Sequence, residues 1–321
     1  MNPFARLFDR LKPAPPPDEA TQAGLRRIVE LVDKNLAAVS GFERKLALPV
    51  ANARAWCARL AAELPPPIAI DRAAFAADPL VHALFGSVDD IARMVAASAP
   101  VRAFLADAVD AGDDFVALMA ARRQEKQTLG VAVQGELVAT DVPQTLLQFS
   151  NQTLVLPAAD IEAERAAMID AGFDGLLQTF AAHVEQAREI YKSLKAEREM
   201  RFSPAVQAKA PFPPRQIPTL DARLRQGFEA LLPDALVDEL ARFLNAPQEA
   251  LSLAAVELWV TRTGVLQNAA AHDAEADPIR FMELSSRDRR RHVVLPVRIR
   301  RADARAALEQ ARAARDEWML I

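Results

Sequence analysis

At 321 residues the chain is long enough for two domains of ordinary size, and its 51% apolar and 26% charged residues are typical of a soluble globular protein. A net charge of −4 argues against a general attraction to nucleic acid. Only 10 residues are glycine, and neither a Walker loop nor a GxGxxG pattern is present. Because phosphate-binding loops need glycine for close backbone approach, we expect no nucleotide cofactor.

Cysteine content and hydropathy indicate the cellular compartment of the protein. Cys57 is the one cysteine, so no intrachain disulfide can form, as is usual in a reducing cytoplasm. No apolar run approaches the roughly 18 residues that suggest a transmembrane helix. We therefore expect a cytoplasmic protein with no transmembrane segment.

Residues 1–17 are expected to form an N-terminal arm with a proline-rich tether. Charged residues interrupt the opening MNPFARLFDRLK, which argues against a signal peptide. One helical face of this stretch carries apolar side chains, namely Phe4, Leu7, Phe8 and Leu11. This face is the candidate partner-binding surface, either for a protein or for peripheral contact with a membrane. The alternative is an arm that packs on its own domain.

Residues 18–202 are predicted to form a helical domain. Apolar steps of four and three predict a pair of antiparallel helices over 25–39 and 42–64. Short helices are expected over 71–127, with Asp78-Pro79 as a typical start. Alternation with period two over 129–156 then predicts a three-stranded antiparallel meander.

A long amphipathic helix closes this domain, after a shorter helix from Asp160. Its apolar stripe steps by four and three through Phe173, Leu177, Phe180, Val184, Ala187, Tyr191 and Leu194. Such a heptad stripe is typical of a coiled-coil seam. It either packs on the N-terminal helical pair within the chain or forms a homo-oligomer through the 173–194 helix.

Four prolines at 211, 213, 214 and 218 predict a linker over 203–218. Residues 219–321 are then expected to form a small α+β domain, with helices over 219–245, three strands near 254–262, 279–284 and 293–299, and a last helix over 303–318. The predicted fold class is therefore α+β and predominantly helical: an N-terminal helical domain with a meander and a long helix, then a small domain with its own antiparallel sheet.

Arginine is concentrated in the predicted C-terminal domain, with nine arginines between 279 and 305. The candidate ligand-binding residues are Arg289, Arg290, Arg291, Arg298 and Arg300, which suit a phosphate-bearing ligand or an acidic partner. The alternative is internal compensation by the acidic residues of 226–278, for example Glu257 opposite Arg298. Few aromatic residues accompany these arginines, which argues against single-stranded nucleic acid.

No motif for catalysis or metal binding stands out. The four histidines have no ligand spacing, no GxSxG is present, and the acidic stretch from His272 to Asp277 lacks the glycine and glutamate of a calcium loop. We therefore expect no catalytic residue, metal or cofactor, and predict a non-catalytic interaction or adaptor protein with protein partners. The alternatives are a binder of phosphate or nucleic acid through the arginines, and an enzyme whose site is assembled from scattered residues.

Overall fold

The computed structural model describes residues 18–107, 112–134, 137–201, 216–267, 276–287 and 290–319. The helices are α1 (Glu19–Leu31), α2 (Phe42–Glu63), α3 (Arg72–Ala77), α4 (Pro79–Leu84), α5 (Val88–Ala97), α6 (Ala99–Asp107), α7 (Ile161–Arg201), α8 (Gln216–Ala230), α9 (Pro233–Asn245) and α10 (Arg301–Met319). The strands are β1 (Ile68–Ala69), β2 (Asp114–Gln134), β3 (Leu137–Ala158), β4 (Leu251–Thr261), β5 (Leu266–Gln267), β6 (Ala276–Ser286) and β7 (Arg291–Arg300). The chain is thus a mixed α+β protein.

The chain divides into two compact units, each built from two separate stretches. The first comprises Met1–Ala55 and Phe173–Pro247, and the second comprises Trp56–Gly172 and Gln248–Ile321. The predicted domains, 18–202 and 219–321, are continuous and differ from these units because the unit boundaries fall inside α2 and α7. The predicted linker extends into a helix, since α8 begins at Gln216 and holds Pro218 in its first turn, where proline costs no hydrogen bond.

The first unit contains the apolar stripe of α7. Phe173, Leu177, Phe180, Val184 and Leu194 are all buried within this single chain. The ring of Phe180 lies 5.5 Å from that of Phe243 on α9. At the start of the stripe, the guanidinium of Arg27 on α1 donates two hydrogen bonds to the carboxylate of Asp174, at 2.8 and 2.7 Å. These five stripe residues are therefore covered within the chain, in part by α9, which belongs to neither of the two predicted alternatives.

Helix α7 begins earlier than predicted. It runs unbroken from Ile161 for 41 residues, so the separate shorter helix expected from Asp160 is wrong. Asp160 instead caps α7, accepting a hydrogen bond of 2.8 Å from the backbone N–H of Ala163. Gly172 does not break the helix. It allows close approach to Cys57, whose sulfur would lie 3.2 Å from a Cβ at that position.

Gly24 offers a direct test of packing in the first unit. A Cβ on this residue of α1 would lie 2.5 Å from Cγ1 of Val50, whose branched side chain has little rotamer freedom in a helix. We expect Gly24→Ala to lower the free energy of unfolding by about 1 to 2 kcal/mol, because overpacking outweighs the gain in helix propensity. Gly175→Ala on α7 is the control: nothing lies within 4 Å of its Cβ position, so it should stabilise by up to about 1 kcal/mol. Denaturant midpoints that move in the same direction for both would contradict this packing.

The second unit is built on one sheet rather than two. Its strands follow the order β3-β2-β7-β6-β4-β5, and the short β1 pairs with β7 in parallel. Strand β2 pairs antiparallel with β7 from Asp114↔Arg300 to Ala121↔Val293. The expectation of a meander in one domain and a separate sheet in the other is therefore wrong, because strands far apart in sequence share a ladder.

The first and last strands of this order meet. The backbone N–H of Leu147 in β3 donates a hydrogen bond of 2.8 Å to the carbonyl of Gly264, and Leu146 forms a bridge with Val265 just before β5. Helix α4 contacts both β3 and β6, which are not neighbours in the sheet. The sheet is thus curled, with α4 on its concave face. This face is lined by the main apolar core, including Phe115, Met119, Phe281, Leu295 and Val297.

Strand β2 replaces the helices predicted near Phe115 and at Gly112-Asp113. Its first half is the nearly continuous apolar run from Phe115 to Ala121, which lies between β3 and β7. A short apolar run of this kind fits a buried strand as well as a helix. The outcome is decided by pairing with β7, which local periodicity does not reveal.

The predicted three-stranded meander is instead two long strands. The turns expected at 141–143 and at Asn151 do not reverse the chain. Asp141 and Asn151 have φ angles of 60° and 55°, and both lie where the register between β2 and β3 shifts. A residue in this left-handed region inserts a bulge and keeps the strand going.

Candidate functional site

The far halves of β2 and β3 form a two-stranded ribbon, residues 122–134 and 137–150. Beyond Ala121, the described part of β2 pairs only with β3. This pairing continues as far as Gln134↔Leu137. Among the described residues, β3 meets a third strand here only near Leu146 and Leu147, at the base of the ribbon. The last eight or so residue pairs correspond to about 25 Å of ribbon with no other strand beside it.

The far part of the ribbon exposes apolar side chains on one face. Leu129 is 66% exposed and Val131 is 56% exposed. They are two residues apart on β2 and therefore point to the same side. Opposite Leu129 on β3 is Pro143, also exposed. These three side chains, Leu129, Val131 and Pro143, form a small apolar patch that we call the ribbon patch.

Polar contacts hold the ribbon together. The side-chain amide of Gln127 donates to the hydroxyl of Thr145 at 3.0 Å, and that of Gln144 donates to the carbonyl of Val131 at 3.0 Å. Both bonds join β2 to β3. They stabilise a hairpin that, with only two strands, has little apolar burial of its own.

The second unit also contains a cleft of about 400 Å³. Its walls are the segment of α3 and α4 from Ala76 to Gly86, the β3 segment from Leu147 to Ser150, and the β4 end with its turn, from Val260 to Gly264. Gln124 and Asp277 complete the lining. A volume of this size suits a small organic ligand.

His82 and Asp78 lie on the helical wall of the cleft. The Nδ1 atom of His82 is 3.3 Å from the carbonyl oxygen of Phe75. Because a carbonyl only accepts, a hydrogen bond between these two atoms has Nδ1 as its donor. Asp78 caps α4, accepting hydrogen bonds from Leu80 and Val81 at 2.8 and 3.2 Å. The predicted Asp78-Pro79 helix start is thereby confirmed.

The described candidate arginines lie at two separate places, one at each end of β7. Arg298 and Arg300 lie near the end of β7, on the face opposite to the buried Val297 and Ile299. Arg300 forms an ion pair of 3.3 Å with Asp71. Arg291 is at the other end of the same strand, seven residues before Arg298. At a rise of 3.3 Å per residue, this separation is about 23 Å.

A further candidate, Arg290, is close to the β6–β7 turn. Arg290 is exposed, and its carbonyl accepts a hydrogen bond from the backbone N–H of Ser286. Arg289 lies outside the described residues. The strand therefore brings Arg290 and Arg291 together and separates them from Arg298 and Arg300. Glu257, the compensating partner considered for Arg298, lies opposite Arg280 instead.

The other partner-binding candidates, Phe4, Leu7, Phe8 and Leu11, also lie outside the described residues. Among the described residues, no helix combines the length and apolar character that a bilayer crossing requires. Within the same ranges, no three histidine, cysteine or acidic side chains converge to hold a metal ion.

The described part of the second unit buries two carboxylates. Arg123 on β2 donates through Nε to Glu283 on β6 at 3.0 Å and through Nη1 to Glu125 at 2.9 Å. Glu283 is buried on the same sheet face as Phe281.

Glu164 in the first turn of α7 is 1% exposed, and its Oε1 accepts no hydrogen bond from any residue that the structure describes. Burial raises the pKa of the Glu164 carboxyl to about 7.

Sequence reasoning did not single out the ribbon patch or the cleft. A signal for the ribbon is the stretch Arg122–Thr128, seven consecutive polar residues inside a strand. Such a stretch is polar on both faces, which indicates a ribbon in solvent. The cleft has no comparable signal, because its lining comes from five separate parts of the chain.

Comparison with known proteins finds no match to a family model, to a curated protein or to a solved structure.

Proposed function

We propose that this chain is a non-catalytic interaction protein, and that the ribbon is the element that contacts a protein partner. The observation that carries the proposal is the ribbon patch, with Leu129 and Val131 more than half exposed in the half of the ribbon farther from the sheet. A hairpin that extends beyond its sheet is stabilised by a partner that covers its apolar face.

The proposal moves the contact surface from the heptad stripe to the ribbon. The stripe residues of α7, including Leu177 and Val184, are buried in the single chain. Five of the seven stripe residues are buried, and Ala187 and Tyr191 are half-buried, so the stripe offers little apolar surface to a second subunit. A homo-oligomer through the 173–194 helix accordingly remains a prediction and is not part of this proposal.

Energetics favour a modest, selective contact. Full burial of a leucine or valine side chain contributes about 1.5 to 3 kcal/mol. Since Leu129 and Val131 are each more than half exposed, covering both should contribute about 2 to 3 kcal/mol. This is a meaningful share of a micromolar complex.

The compartment belongs to the proposal as well. We place the protein in the cytoplasm because Cys57 is its one cysteine, so that no intrachain disulfide contributes to its stability. A partner in the same compartment would meet the ribbon without crossing a membrane.

Affinity capture from the native host tests the proposal. The double variant Leu129→Asp/Val131→Asp should reduce recovery of the partner at least tenfold, because two charges would have to be buried in its contact. The matched control is Thr128→Asp/Thr140→Asp, which adds the same two charges to the ribbon at polar positions and should capture as well as the wild type. Equal recovery with both double variants would show that the ribbon patch is not the contact.

A further inference from the structure

The cleft of the second unit combines an apolar wall with charged groups at one rim. Phe85 and Leu147 are buried, and Phe149 is half-buried beside them. The ring of Phe149 stands edge-on to that of Phe281, with 5.6 Å between centroids and 88° between planes. This contact to the core fixes the ring and gives the cleft a firm apolar surface.

The charged groups come from the strands on the other side. Asp277 on β6 is directly opposite Val260 on β4, and Arg262 follows Val260 by two residues in the turn to β5. Pairing of β4 with β6 therefore brings a carboxylate and a guanidinium to the same end of the cleft. Both residues are exposed and line it.

Arg262 and Asp277 are not paired with each other. Across the ranges that the structure describes, neither forms an ion pair within 4 Å. The third charged group of the lining, Asp78, is occupied with the cap of α4. Among the described lining residues, the cleft thus offers one cation and one anion at the same end, next to an apolar wall.

We infer that the cleft binds a small zwitterion with an apolar body, of the class of an apolar α-amino acid. The ligand carboxylate pairs with Arg262, whose planar guanidinium suits two parallel hydrogen bonds. The ammonium pairs with Asp277, and the side chain lies against Leu147 and Phe149. This inference is independent of the ribbon proposal, since the cleft uses the base of the ribbon at 147–150 and not the ribbon patch.

Calorimetric titration of the full chain with three related probes tests the inference. L-phenylalanine carries both charges, its amide lacks the carboxylate, and 3-phenylpropionate lacks the ammonium. L-phenylalanine should bind, and each of the other two should bind about tenfold more weakly, the change that 1.4 kcal/mol corresponds to. No binding of L-phenylalanine at millimolar concentration, or equal binding of all three probes, would overturn the inference.

Two substitutions assign the charges. Arg262→Gln should weaken L-phenylalanine about tenfold and leave its amide unchanged. Asp277→Asn should weaken the binding of L-phenylalanine equally and leave that of 3-phenylpropionate unchanged.

Arg280→Gln is the control: Arg280 is an exposed arginine of β6 outside the cleft lining, so all three affinities should stay the same. All three positions are exposed, and unchanged thermal midpoints will show that the variants are folded. Loss of affinity that does not follow the charge removed from the probe would contradict the assignment.

Discussion

Replacing Arg123 with methionine is expected to lower the free energy of unfolding by about 3 kcal/mol, the largest effect of any single change considered. Arg123 is the ion-pair partner of Glu283, whose carboxylate is 3.0 Å from Nε and whose residue is 7% exposed. Methionine keeps much of the side-chain volume but leaves the carboxylate buried without its cation. The cost of a buried unpaired charge dominates, and urea unfolding measures it.

Two further variants show that the loss comes from the pair. Arg123→Met/Glu283→Leu removes both charges and should recover most of the stability, because an apolar replacement of a buried pair is often neutral. Glu125→Gln breaks the more exposed ion pair with Arg123 and should cost less than about 1 kcal/mol. If the double variant is no more stable than Arg123→Met alone, the loss reflects side-chain packing rather than charge.

The contribution of Glu164 to stability should fall as the pH rises from about 4.5 to about 7. Burial raises the pKa of this carboxyl from 4.5 to about 7. Within that window the folded chain holds a proton that the unfolded chain has lost, so raising the pH favours unfolding. Above about pH 7 both states are ionised and the penalty is constant, at about 3 kcal/mol.

Glu164→Gln isolates this contribution. Glutamine resembles the protonated carboxyl, so the variant should gain stability over the wild type by about 2 kcal/mol more at pH 8 than at pH 5. Glu162→Gln, an exposed position in the same helical turn, should show the same difference from wild type at both pH values. A difference for Glu164→Gln that does not change with pH would mean that its carboxyl titrates normally in the folded state.

Local signals predicted local structure well. The Asp78-Pro79 cap and the strands near 254–262, 279–284 and 293–299 correspond to the start of α4 and to β4, β6 and β7. In these cases the deciding interactions lie within a few residues: a side-chain oxygen that satisfies the first free N–H groups, or alternation that matches a strand with one buried face.

Pairing between distant strands could not be predicted. The run from Phe115 to Ala121 fits a helix or a strand equally well, and its partner β7 follows nearly 180 residues later. The same non-local pairing joins the two expected sheets into one. Asp141 and Asn151, residues typical of turns, form bulges because the partner strand continues past them.

The candidate sites show the same contrast between local sequence signals and pairing of distant strands. A run of arginines near 289–300 is conspicuous in the sequence, yet a strand separates Arg291 from Arg298 along its length and puts them on opposite faces. Arg262 and Asp277 are inconspicuous in the sequence, yet the β4–β6 pairing brings them to one cleft. Sequence proximity is therefore a poor guide to a shared site in this sheet.

Photo-crosslinking in the native host tests the ribbon contact most directly. A photoreactive amino acid at position 129 should give one adduct of discrete mass with a protein partner. The same amino acid at position 48 is the matched control, because Leu48 is 67% exposed and lies on α2 in the first unit, and it should give no such adduct. No adduct from position 129, or the same adduct from both positions, would contradict the assignment of the ribbon as the contact element.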